Sequence, residues 1–181
     1  ATPGRYLFVA GGSDPYWELC VAGAKAAAER LDATVEVRLP TGEGEDGLQQ
    51  QLAWLGEVDA TQVDGVAVGP IDPERETTLI NSLAEKTTVV TVDSDAPNSR
   101  RMFYVGSSNY EAGEIAFDMV REALPDGGKV AILLASLAKT NAAERKQGFE
   151  EAIVERTTEE GPVYEVVATY MDQGDQTLAK E

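Results

Sequence analysis

Residues 87–109, TTVVTVDSDAPNSRRMFYVGSSN, decide how this chain is read. Val89 to Val92 form a β-branched run that stops abruptly on Asp93-Ser94-Asp95. A short unbroken run of this kind, bounded by polar and turn residues, reads as a buried strand. A turn containing Pro97 and Asn98 follows, then a second short run, Phe103-Tyr104-Val105, which ends on Gly106-Ser107-Ser108-Asn109. The expectation is that the first strand closes one lobe and carries a ligand-binding carboxylate at its end. The second strand is expected to cross into another lobe.

On the amino-terminal side the same extended-then-helical plan repeats. Tyr6 to Ala10 reads as a strand, Gly11 to Pro15 as its turn, and Pro15 to Leu31 as a helix with Asp14 as cap and Leu19, Ala22, Ala26 and Leu31 as its stripe. Thr34 to Leu39 alternates as a strand, Leu48 to Leu55 is helical, Gly65 to Val68 is a strand, and Arg75 to Lys86 is a helix with Leu79, Ile80 and Leu83 inward. On the carboxyl side, Tyr110 to Leu124 predicts a helix with Ile115, Met119 and Val120 as its stripe. Lys129 to Leu134 predicts a continuously buried strand, Ala142 to Val154 a helix, and Val163 to Tyr170 a strand; a further helix is expected from Asp175. Strands alternating with helices predict right-handed βαβ crossovers, and so an α/β fold with a mainly parallel sheet. Ligands in such folds sit beyond the carboxyl ends of the strands, and most of the polar residues that need explaining fall in those loops.

Composition bounds the chemistry. The chain has 181 residues, 43% of them apolar, enough for one domain or for one lobe and part of a second. With 32 acidic against 15 basic residues the formal net charge is −17, which excludes nucleic acid or an anionic membrane surface as partner. Cys20 is the one cysteine and there is no histidine, so an intrachain disulfide, a thiolate zinc cage and Ser-His or Cys-His catalysis are excluded, and no cofactor is expected. No apolar run approaches the roughly 18 residues of a membrane span. Ala1-Thr2-Pro3-Gly4 lead straight into a strand, without a secretory apolar segment.

Four constellations are candidates for function. Gly42-Glu43-Gly44-Glu45-Asp46-Gly47 fits G-x-G-x-x-G, but three carboxylates in the loop repel phosphate and Pro40 parts it from the strand, so it reads as an acidic loop. Asp14, Tyr16 and Trp17 follow the first strand's turn: the aromatics either stack on a ring whose hydroxyls Asp14 accepts, or they pack helix on sheet with Asp14 a plain cap. Asp93 and Ser94 stand at a strand end; a carboxylate there suits the hydroxyls of a sugar or polyol, while Asp95 starts the turn through Pro97. Asn141 and Arg145 are spaced i, i+4 across a helix start, where an arginine opposes the helix dipole and its fork either donates to ligand or carboxylate oxygens or lies on the surface.

The series FVAGGSDPYWELCVAGAKAAAERL, VDGVAVGPID, VVTVDSDAP, YVGSSNYEAG, KVAILL, NAAERKQGFEEAI and VVATYMDQGD resembles the periplasmic sugar-binding protein family, the ribose-binding-protein-like group with the type I periplasmic binding fold. Effector domains of LacI-type repressors share this module. The resemblance implies Rossmann-like lobes of 1–105 and 106–181, the second incomplete, closing on a small sugar. It implies that Asp14, Tyr16, Trp17, Asp93 and Arg145 contact the ligand, with Ser94, Ser107 and Asn141 at positions where family members often do. Gly69 and Ser94 depart from the Asn and Arg that some members carry, which bears on the identity of the sugar. Family members continue further, so the chain is expected to be a carboxyl-terminally truncated fragment, or to form homodimers through unpaired strand edges. The function implied is that of the non-enzymatic, periplasmic or extracytoplasmic solute-binding component of a sugar ABC-type uptake system, with ABC transporter membrane subunits as partners. A ligand-sensing domain of a regulatory or chemosensory system is the alternative, and a doubly wound enzyme the least favoured.

Overall fold

Five strands pair side by side, each parallel to its neighbour: β1 (Arg5–Val9), β2 (Thr34–Arg38), β3 (Gly65–Val68), β4 (Thr88–Val92) and β5 (Phe103–Val105), in the spatial order β2-β1-β3-β4-β5. The structure is a computed structural model, and it describes residues 3–42, 44–137, 139–157, 161–173 and 177–180. The chain separates into two compact units, Ala1–Gly106 and Ser107–Glu181. The α/β, mainly parallel fold expected from the alternation is the fold observed.

In the first unit the helices are α1 (Pro15–Arg30), α2 (Gly44–Glu57) and α3 (Pro73–Ala84). Two of them start on the same device, an aspartate cap followed by proline. Asp14 accepts from the Tyr16 amide at 2.9 Å, and Asp72 from the Glu74 and Arg75 amides at 3.2 Å each. Along β1 the side chains alternate between two cores. Leu7 and Val9 join Val66, Val68 and Val89 with Leu55, Ile80 and Leu83 of α2 and α3, whereas Phe8 and Ala10 join Trp17 and Val21 of α1.

The stripe expected for α1 is on the wrong side. Leu19 is 74% exposed and Leu31 is exposed with it, as are Ala22 and Ala26, while Trp17, Cys20 and Val21 face the sheet. Alanine lies on every side of this helix, so apolar letters alone do not choose a face. The bulky Trp17 does. α2 is also longer than expected, since it begins at Gly44 inside the glycine-rich stretch; Glu43 lies outside the described residues.

β4 and β5 are parallel yet joined only by residues 93–102, without the helix that such a crossover ordinarily uses. β5, expected to lead into another lobe, is the edge strand of the first unit's sheet, with Val90 opposite Phe103 and Val92 opposite Val105.

The second unit holds α4 (Asn109–Ala123), β6 (Gly128–Leu134), α5 (Thr140–Arg156) and β7 (Tyr164–Met171), with β6 and β7 parallel. Its core is aromatic: Phe117 meets Phe149 and Tyr164 edge to face, centroids 5.7 and 5.2 Å apart. The two helices touch at glycines. A Cβ on Gly113 would lie 2.1 Å from the Arg145 carbonyl, and one on Gly148 2.1 Å from that of Tyr110. Two expectations are corrected here. Ile115 and Met119 are exposed, because Phe117 takes the inward face of α4, and β6 is covered on one side only, leaving Leu133 70% exposed. The helix expected from Asp175 starts outside the described residues; Leu178–Lys180 form a single 3₁₀ turn. Among the described residues no helix is long and apolar enough to cross a membrane.

Candidate functional site

The strand order of the first unit changes direction at β1, and the crevice beyond the carboxyl ends of β1 and β3 is where such sheets ordinarily receive ligands. Here side chains fill it. Trp17, 3% exposed, lies over two glycines, so that a Cβ on Gly69 would meet its Cη2 at 2.3 Å and one on Gly11 its Cζ2 at 2.8 Å. Gln51 is fully buried; its Nε2 donates to the Ala10 carbonyl at 3.0 Å and the Gly69 carbonyl at 2.9 Å, and its Oε1 accepts from the Ile71 amide at 3.1 Å. Glu76, also fully buried, accepts from the Ile71 and Asp72 amides through Oε1 at 2.8 Å each. Burial pushes its carboxyl up to about 7, and Oε2 has no hydrogen-bond partner among the described residues.

The open part of the edge lies at the end of β4. Asp93 adopts φ +67°, a conformation costly for any residue with a Cβ. Three hydrogen bonds hold it there: Ser94 N donates across it to the Val92 carbonyl at 2.8 Å, Asp93 N donates to Val105 at 3.0 Å, and the Tyr104 hydroxyl donates to the Asp93 carbonyl at 2.6 Å. The Tyr16 side chain, 49% exposed, faces the Asp93 carboxylate. Partial burial, then the Asp93 charge and the Cys20 thiol, raise the Tyr16 hydroxyl well above its ordinary range, so it is a neutral donor throughout physiological pH.

Asp95 does more than begin a turn. It takes both arms of the Arg101 fork and accepts from Thr91 Oγ1 at 2.6 Å and the Ala96 amide at 2.8 Å, which closes residues 95–101 into a clamped loop. Its carboxyl stays below the ordinary carboxylate range although burial opposes this, because Arg101 and Thr91 together outweigh the burial. Ser94 is buried and its Oγ has no partner among the described residues.

In the second unit Arg145 and Asn141 line one groove of about 690 Å³ together with Ser136 and Lys139, at the carboxyl end of β6. Arg145 Nε donates to Asn109 Oδ1 at 2.8 Å, and Asn109 Nδ2 donates to the Ser107 carbonyl at 3.4 Å. Ser107 is exposed, and it is Ser108 that caps α4, through the Glu111 amide at 3.3 Å. A separate apolar groove of about 470 Å³, lined by Tyr6, Ala24, Ala28, Leu31 and Val90 among others, opens on the α1 face of the first unit; it takes in residues that begin β3 and β4.

The structure therefore brings Asp14, Tyr16 and Asp93 to one edge, sets Trp17 in the core next to them, buries Ser94, and puts Asn141 and Arg145 in one groove of the other unit. A protein-family model described as a periplasmic binding protein domain matches residues 6–181. The chain belongs to the periplasmic binding protein domain family. The resemblance read from the sequence is thereby borne out. Within the family, the chain is 27% identical over 145 residues to the ribose import binding protein RbsB of Haemophilus influenzae, covering 77% of this chain and 47% of that one. It thus spans about half the length of that curated relative. Among solved structures it is similar to GanP, a glucose-galactose binding protein from Geobacillus stearothermophilus, at 31% identity and TM-score 0.87, covering 99% of this chain and 62% of that one. It is also similar to AraP, an arabinose binding protein from the same organism, at 32% identity and TM-score 0.76, covering 98% of this chain and 59% of that one.

Three residues that matter to these sites carry no local signal. Gln51 and Tyr104 act on backbone groups 41 and 11 residues away, and Asn109 on a side chain 36 residues away. Only Glu76 was within reach, as an acidic residue in the first turn after a cap.

Proposed function

We propose that this chain is the sugar-holding part of an extracytoplasmic solute-binding protein that serves a sugar ABC-type uptake system and carries out no chemistry on its ligand. The observation that carries the reading is Asp93: a carboxylate held at a strand end in a costly backbone conformation, beside a tyrosine hydroxyl that stays protonated. An acceptor next to a neutral donor suits a neutral polyhydroxylated ligand, whose hydroxyls both donate and accept. Tyr16 also offers a half-exposed ring to the apolar face of a pyranose or furanose. In this reading Asp14 and Asp93 accept hydrogen bonds from sugar hydroxyls, and Arg145 and Asn141 of the second unit are donors to ring or hydroxyl oxygens. Ser107 stands at the margin of the set, while Trp17 and Ser94 shape it from beneath.

The relatives support the class of ligand and leave the individual sugar open. Their names carry ribose, glucose with galactose, and arabinose at 27%, 31% and 32% identity. The test is a thermal-shift and calorimetric panel of D-ribose, D-glucose, D-galactose and L-arabinose on the wild-type chain and on Asp93→Asn. One or more sugars should stabilise the wild type, and Asp93→Asn should lose at least about tenfold in affinity, the size of one hydrogen bond to a charged group. A wild-type chain that is folded and indifferent to every sugar would overturn the reading.

A further inference from the structure

We infer that Asn109 is the positioning residue for Arg145, fixing that guanidinium so that its two terminal nitrogens are presented to the ligand; this rests on the sugar-binding reading above. Arg145 stands in the second turn of α5, where the positive end of the helix opposes it, on a long side chain with much rotamer freedom to lose. Left alone, such a side chain would swing away into solvent. Its hydrogen bond among the described residues runs from Nε to Asn109 Oδ1 at 2.8 Å, which leaves both terminal nitrogens without a partner there. The acceptor is well placed to hold it. Asn109 is 4% exposed, opens α4, and has its amide turned by the bond from Nδ2 to the Ser107 carbonyl. The glycine contacts at Gly113 and Gly148 let α4 and α5 approach closely enough for so short a side chain to reach across.

The chemical type of the acceptor is informative. A carboxylate at this place would pair with the guanidinium and neutralise it. An amide oxygen holds the same nitrogen and leaves the charge unspent, so the fork remains a strong double donor for sugar oxygens. Asn109 therefore orients Arg145 without competing for it.

The experiment is a double-mutant cycle on the full chain, read by calorimetry with the four sugars of the panel. Asn109→Ala should weaken binding about tenfold, since it frees an arginine that must then be ordered by the ligand. The same substitution on an Arg145→Lys background should change affinity less than about twofold, because lysine has no Nε–H for Asn109 to hold. The Arg145 Nε–H signal in NMR, slow to exchange in the wild type without any sugar, should move to fast exchange in Asn109→Ala. If alanine impairs folding, Asn109→Ser replaces it, as its hydroxyl is too short to reach Nε. Wild-type affinity in Asn109→Ala, or an equal loss on both backgrounds, overturns the inference while leaving the sugar reading intact. A wild type that binds none of the four sugars removes the sugar reading and this inference together.

Discussion

Glu76 gives one carboxylate oxygen to two amides while the other faces no partner among the described residues, and the cost of that arrangement depends on pH. Its carboxyl is raised to about 7 by burial, so the folded chain holds a proton that the unfolded chain releases near the ordinary glutamate value of 4.5. Stability then falls as pH rises between those two values, and by the linkage relation the loss is on the order of 3 kcal/mol. Glu76→Gln keeps an acceptor for the Ile71 and Asp72 amides and removes the titration. Denaturant unfolding at pH 5 and pH 8 should show the wild type weaker at pH 8 and most of that difference gone in the variant. An equal pH dependence in both would mean that Glu76 is charged when folded. The same residues mark how far a sequence reading reaches. Asp93 was legible as a strand-end carboxylate because its surroundings in sequence are abruptly apolar. Its φ of +67° was not, since Tyr104 and Val105, which hold it, belong to the next strand.

Trp17 and Gly69 are a matched pair lying across α1 and the end of β3. Gly69→Ala would drive a methyl against the indole and toward the Gly11 amide, 2.3 and 3.1 Å away, and overpacking of this kind costs about 1–3 kcal/mol. Trp17→Phe withdraws the clashing edge, so the double variant should recover part of what Gly69→Ala loses. Chemical denaturation of the four proteins checks this, and strictly additive losses would show that the pair is independent. Helix faces were the least legible part of the fold. On α3 the stripe Ile80 and Leu83 is buried as its spacing predicts, because polar residues occupy the other side. On α1 and α4 apolar residues lie all round, and the face that turns inward is the one carrying the large aromatic, Trp17 or Phe117. The one-sided burial of β6 is hidden in its sequence for a related reason: an unbroken apolar run looks the same whether one or both of its faces are covered.

Across the whole chain 32 acidic residues face 15 basic ones, and the ion pairs seen among the described residues, such as Arg75 with Glu45 and Arg100 with Glu85, are mostly at the surface. Surface pairs of this kind contribute little, whereas an excess of like charge favours expansion. Raising NaCl from about 10 to about 150 mM shortens the screening length from about 30 to about 8 Å. The midpoint of thermal unfolding should therefore rise with salt; a fall would mean that the pairs outweigh the repulsion. The parallel α/β class was legible because the alternation of strand and helix persists along the sequence, and it agrees with a family match over residues 6–181. The plugged crevice at the ends of β1 and β3 bears on how such a protein can change over time. Trp17, Gln51 and Glu76 interlock there through the Gly69–Asp72 backbone, so a substitution that changes the size or hydrogen bonding of one disturbs the others. On the proposed sugar-binding reading, new specificity is thus more accessible along the Asp93 loop, where single substitutions would alter what a ligand meets without dismantling the core beneath it.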